Sequence, residues 1–221
     1  MSYWFSFVFP WLLVLWFLHS LASGLSSFLS KKASRGRRNA CAITPDGSRD
    51  ACRKTRWFAF LGFALAAVGV VLSPVGGIPL GRWLAGPNLH PSLPLLAHLV
   101  GLVWKAAFGR DLFRPQDREA AWVFGAVMGT VLYPLALGLG KFDPYSWGWS
   151  FSVLFPIIAL TTIVLIWRGN RFGFLLILSI LAYDLHLLES PNFWDYLVDP
   201  IYWLLSLGLL TKRIWSPANV R

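Results

Sequence analysis

Roughly seven long apolar runs alternate with polar stretches along this chain: Tyr3–Ser23, Trp57–Pro74, Leu93–Gly109, Ala121–Gly140, Phe151–Trp167, Phe172–Glu189 and Val198–Trp215. Each predicts a helix able to cross a bilayer, whose hydrocarbon core takes about 20 apolar residues. Threaded alternately through a membrane, the runs leave only Arg82 and Lys141, of 20 Lys+Arg, on one face. Cytoplasmic loops retain positive charge, so the first residue is expected outside and Arg221 inside. The predicted fold is an all-α integral membrane protein, a compact bundle of about seven transmembrane helices.

The polar stretches sharpen this picture. Residues Lys31 to Arg56 form a cytoplasmic basic loop, with Asp46 and Asp50 as its acids and Thr44-Pro45-Asp46-Gly47-Ser48 as turn chemistry. It reads first as a topology signal and second as a docking site for a partner or acidic lipid. The outside segment Val75–Ser92 is rich in Gly and Pro. Its backbone would go unpaired in hydrocarbon, so it is expected to lie at the interface near Trp83 or dip back as a lid. Tryptophans recur at the predicted boundaries, as expected of an interfacial belt. Pro10, Pro134 and Pro156 fall within spans and predict kinks.

Composition agrees. Of 221 residues, 56% are hydrophobic and only 14% are charged, against about 25% charged in a soluble domain. Mean hydropathy is +0.57. Seven spans would use most of the length, so a single membrane domain covering 1–221 is expected, with no separate soluble domain. Met1-Ser2-Tyr3-Trp4-Phe5 lacks the positive start of a cleavable signal, so the first span is expected to remain. The net charge of +10 follows from topology and anionic head groups. No DNA- or RNA-binding motif accompanies it, and nucleic acid is not an expected partner. Cys41 and Cys52 lie in the basic loop, where cytosolic thiols stay reduced; their spacing is not CxxC, and no His is near to complete a zinc site.

Ionisable groups in oil are costly and so carry functional information. The sixth run supplies Asp184, His186 and Glu189, and the third supplies His98. Asp195, Asp199, Asp143 and His90 gather on the same outer side, and His19 is the exception near the inner end of the first run. These residues are the candidate ligand- or proton-binding set, with Asp184, His186, Glu189 and His98 foremost. His98, His186 and Glu189 could hold a divalent metal. A haem between His98 and His186 is not expected. Asp195 and Asp199 alternatively cap the last span. Phe142 to Trp149 interleaves aromatics with Asp143 and reads as a turn anchored at the interface, or less simply as a stacking platform.

Ala121, Gly125 and Gly129 recur every fourth residue and let another helix approach closely, either within the bundle or in a homo-oligomer or membrane partner. The chain has no phosphate-cradling glycine loop, HExxH, GxSxG or CxxCH. Lys212 lies only at the inner end of the last run, so a buried retinal Schiff base is not expected. The leading expectation is a small carrier or binding subunit of the inner membrane, with an outward-facing pocket for a cation or proton between the third and sixth spans. A non-catalytic subunit or assembly factor of a membrane complex comes next, then a metal-dependent membrane-embedded enzyme.

Overall fold

The computed structural model describes residues 5–33, 47–86 and 91–215. Among the described residues the protein is all-α apart from one two-stranded hairpin. Helices α1 (Phe5–Ala33), α2 (Gly47–Leu72), α4 (Leu93–Phe108), α5 (Pro115–Pro134), α6 (Leu154–Trp167), α7 (Phe172–Asp184) and α9 (Pro200–Trp215) fall on the seven apolar runs. Two short helices, α3 (Leu80–Ala85) and α8 (Trp194–Leu197), lie in the connections.

Among the described residues, two helical stretches are long and apolar enough to cross a membrane: Thr55–Leu72 and Pro115–Leu139. Helices α4, α6 and α7 are apolar but have 16, 14 and 13 residues. At about 1.5 Å per residue they reach roughly 24, 21 and 20 Å, short of a hydrocarbon core of about 30 Å.

Several boundaries differ from the sequence expectation. The basic segment is not one long loop: α1 runs to Ala33 and α2 begins at Gly47. Only 34–46 separates the two helices; Cys41 lies there, outside the described residues. The segment Val75–Ser92 opens as a hairpin in which β1 (Pro74–Val75) pairs antiparallel with β2 (Ile78–Pro79). Gly76 and Gly77 sit at φ +61° and +80°, the doubly left-handed turn that matches strand twist and that glycine adopts without penalty. Helix α7 stops at Asp184 rather than Glu189. Pro134 closes α5, and the backbone continues as a π-helical turn, Leu135–Leu139, that ends in a left-handed Gly138. Pro156 lies in the first turn of α6, where a missing N–H costs little, so it makes no kink.

The chain divides into two compact units. One comprises Phe7–Leu84 and Leu99–Leu112. Here α1 meets α2 through the Trp11 indole, which donates to the Ala64 carbonyl at 3.1 Å. Trp57, Trp104 and Phe108 cluster between α2 and α4, with ring separations of 4.5 to 6.5 Å.

The other unit comprises Met1–Ser6, Ala85–His98 and Phe113–Arg221. Helix α5 packs on α9, and α6 on α7. Its core holds Leu132, Leu154, Ile158, Phe172, Leu176 and Trp194. It also buries several polar side chains and exposes apolar ones. Ser92, Asp117, Thr162, Asn170, Ser179, Asn192, Asp199 and Ser206 are buried. Meanwhile Val123, Val127 and Val131 form an exposed stripe on α5, Leu160, Ile163 and Trp167 one on α6, and Phe174, Leu178 and Leu181 one on α7. These follow the three-and-four spacing of a single helix face.

Candidate functional site

Buried and half-buried polar residues of the second unit gather in three clusters, each built where a loop meets a helix end. The first surrounds Asp199. Its carboxylate accepts from the Ser92 backbone N–H at 2.9 Å, the Ser92 hydroxyl at 2.6 Å and the Tyr202 N–H at 2.9 Å. It thus caps the free amides of α9 and ties them to the residue just before α4. Tyr202 in turn donates its hydroxyl to the Ala121 carbonyl at 2.5 Å.

The second cluster surrounds Asp195. Tyr145 donates its phenol to both carboxylate oxygens, at 3.1 and 3.3 Å, and the Ser190 hydroxyl donates to one of them. Asn192 donates to the Tyr145 carbonyl at 3.1 Å, and the Trp194 indole to the Pro144 carbonyl at 2.9 Å. Burial, and then the Asp195 charge, pushes the Tyr145 phenol up to about 12. Asp143 lies at the edge and accepts from the Tyr145 N–H at 2.9 Å, starting the 3-10 turn Pro144–Gly148. Rings of the same stretch pack on one another, Phe142 on Trp147 and Tyr145 on Trp149. That is the anchored turn rather than a free stacking platform.

The third cluster was not legible in the sequence. Asp117 is buried and accepts from the backbone N–H groups of Arg114 and Arg171, both at 2.9 Å. Asn170 donates to the Gln116 carbonyl at 3.1 Å and accepts from Phe172 N–H at 2.9 Å. Asp117 stands among residues of both charge signs, from Arg110 to Glu119. The only hint was its place three residues after Arg114 at a helix start, the position of a capping-box acid.

His98 lies beside this cluster. With Asp117, Arg118, Ala121, Phe172 and Tyr202 it lines a cavity of about 20 Å³, room for about one water. Its ring stands 6.5 Å from that of Trp122.

The other foremost candidates are placed differently. Asp184, His186 and Glu189 are exposed, and none lines the His98 cavity. The reason is the end of α7. Leu187 N–H bonds the Ala182 carbonyl at 3.0 Å, and His186 N–H bonds that of Tyr183 at 3.0 Å. His186 itself is left-handed, at φ +52°. This is a Schellman cap with histidine where glycine is usual. The imidazole Nδ1 lies 2.9 Å from the Asp184 carbonyl. The expected pocket between the third and sixth runs is therefore not formed by Asp184 and His186.

Among the described residues, no three His, Cys, Asp or Glu converge as a metal site, so His98, His186 and Glu189 are not brought together as ligands. His186 sits outside the His98 cavity, which removes the geometric basis for a haem pair as well. His90 lies outside the described residues.

The small-residue stripe is occupied within the chain. A Cβ on Gly125 would meet Ser206 Oγ at 2.5 Å and Tyr202 at 2.7 Å, and one on Gly129 would meet Trp203 at 2.4 Å. Helix α9 therefore already takes the close approach that the stripe permits. No protein-family model matches the chain, and no curated protein or solved structure matches it significantly.

Proposed function

We propose that this chain is a multi-pass protein of the cytoplasmic membrane, with seven helices crossing, its first residue outside and Arg221 inside. Within that membrane we assign it the role of a small binding or carrier subunit for a proton. The observation that carries the reading is the apolar outer face of the second unit. Asp117, Asn170, Asn192 and Asp199 are buried, while helices α5, α6 and α7 turn apolar stripes outward. Leu160 and Ile163 are each 64% exposed, and Phe174 61%. Water-soluble proteins seldom leave more than a few hundred Å² of contiguous apolar surface uncovered, whereas lipid solvates such faces and drives polar groups to pair inside. Short helices such as α7 span by thinning the bilayer locally or through flanking residues that reach the interface.

The His98 cavity favours a proton over a larger ligand. It has room for about one water and little else. A histidine on a cavity with room for one water is suited to a relay. Proteoliposomes containing the wild-type chain are expected to dissipate an imposed pH gradient faster than those containing His98→Ala. Equal rates in the two would remove the carrier role. Sidedness is tested separately: a reporter fused after Arg221 is expected to be cytoplasmic, and one inserted beside Arg82 external.

A second reading, a non-catalytic subunit of a membrane complex, is favoured by a different observation. Asp117, Asp195 and Asp199 all accept hydrogen bonds from the fold itself. Such a protein would survive His98→Ala with its partners intact in a pull-down.

A further inference from the structure

The first unit carries a cleft that is far larger than the His98 cavity and chemically different from it. Its volume is about 460 Å³, within the range of roughly 300–1,000 Å³ typical of ligand sites. Three segments line it: His19 and Ala22 from α1, Arg56, Ala59 and Phe63 from α2, and Ala106 from α4. Arg56, Ala59 and Phe63 are spaced by three and four, so one face of α2 forms a wall. The alanines keep the floor open.

Two groups on that wall are equipped for an anion. Arg56 donates from Nη1 to the Phe108 carbonyl at 3.2 Å. This contact to the end of α4 fixes the guanidinium and spends one of its five N–H donors. Among the described residues no carboxylate forms an ion pair with it. The His19 ring packs on Phe63 with centroids 5.2 Å apart. Its Nδ1 is buried without a hydrogen-bond partner, so the nitrogen it offers the cleft is Nε2.

We propose that this cleft binds a phosphate group, gripped by the Arg56 guanidinium and the His19 imidazole. A planar fork of donors suits phosphate oxygens, and the histidine supplies a further donor. The phosphate arrives either on a phospholipid head group or as a free phosphate. The proposal does not depend on proton carriage at His98.

The test uses the full chain with two probes. Equilibrium dialysis of labelled inorganic phosphate against protein in neutral detergent reads the free anion. Native mass spectrometry from nanodiscs of phosphatidylcholine, with and without phosphatidylglycerol, reads lipid retention. Saturable phosphate binding assigns a soluble anion. Selective retention of phosphatidylglycerol, with no binding of inorganic phosphate, assigns the head group. In either case Arg56→Gln and His19→Leu should each weaken binding roughly tenfold, as expected for losing one charge-assisted hydrogen bond, while Arg56→Lys keeps most of it. Should Arg56→Gln fail to fold, His19→Leu decides alone. The proposal is overturned if neither probe binds, or if the folded variants bind as tightly as wild type.

Discussion

Asp199 and Ser92, 107 residues apart in sequence, are joined by two hydrogen bonds: the serine N–H at 2.9 Å and its hydroxyl at 2.6 Å both donate to one carboxylate oxygen. One buried side chain thus holds the start of α9 and the approach to α4 in register. Asp199→Ala would leave the Ser92 and Tyr202 amides without their acceptor. A loss of about 2–4 kcal/mol is expected, summing a lost helix cap and an unpaired buried donor. Asp199→Asn should cost less, because one amide oxygen still accepts. Thermal unfolding in a fixed detergent measures both, and equal stability of Asp199→Ala and wild type would refute the role.

Gly125 is the tightest test of how α5 meets α9. A Cβ there would lie 2.5 Å from Ser206 Oγ and 2.7 Å from the Tyr202 ring. Gly125→Ala should therefore destabilise by about 1–3 kcal/mol through overpacking, despite alanine's better helix propensity. On the exposed stripe of the same helix, Val127→Ala should shift stability far less. A comparison of the two melting temperatures checks the ranking.

His186 occupies a left-handed position, φ +52°, that glycine fills without steric cost. His186→Gly is expected to leave stability unchanged or to raise it by about 0.5–1 kcal/mol. A ligand-binding histidine would show instead a functional loss on that change. Retained proton flux together with retained stability confirms a purely structural place for His186.

The Tyr145–Asp195 contact sets a pH dependence. Tyrosine is neutral when protonated, and its folded value is raised to about 12 from an ordinary value of about 10. The folded state holds this proton more tightly, so the contact contributes fully below about pH 10. The contribution fades as pH rises towards about 12. Alkaline melts of wild type and Tyr145→Phe should differ at neutral pH and converge at the alkaline end. A constant difference across the range would show that ionisation of Tyr145 plays no part.

Much of the architecture was open to reading in one dimension. Helix α2 and the α5 stretch through Leu139 declare themselves by length and composition, because only an unbroken apolar run solves the backbone problem in oil. The Ala121, Gly125 and Gly129 stripe announced a close helix contact. Its partner did not appear in the spacing, since Tyr202 of α9 meets Ala121 across 81 residues of sequence, and Ser206 meets Gly125 beside it. The site was less legible. Asp184, His186 and Glu189 sit in a run of apolar letters and looked buried by continuity. A Schellman cap, formed by three backbone bonds around Leu185, ends α7 at Asp184, and all three residues are exposed.

The one-dimensional order of apolar and basic residues determined the helical character, the positions of the main helices and the sidedness expected from positive charge. These are local quantities: a helix satisfies its own backbone, and loop charge acts where it stands. Which carboxylates are buried was decided by tertiary structure alone. Asp117, in the first turn of α5, reaches the amide of Arg171, and Asp199 reaches Ser92. Both contacts depend on loops from distant parts of the chain arriving at the same helix end, which no spacing along the sequence encodes.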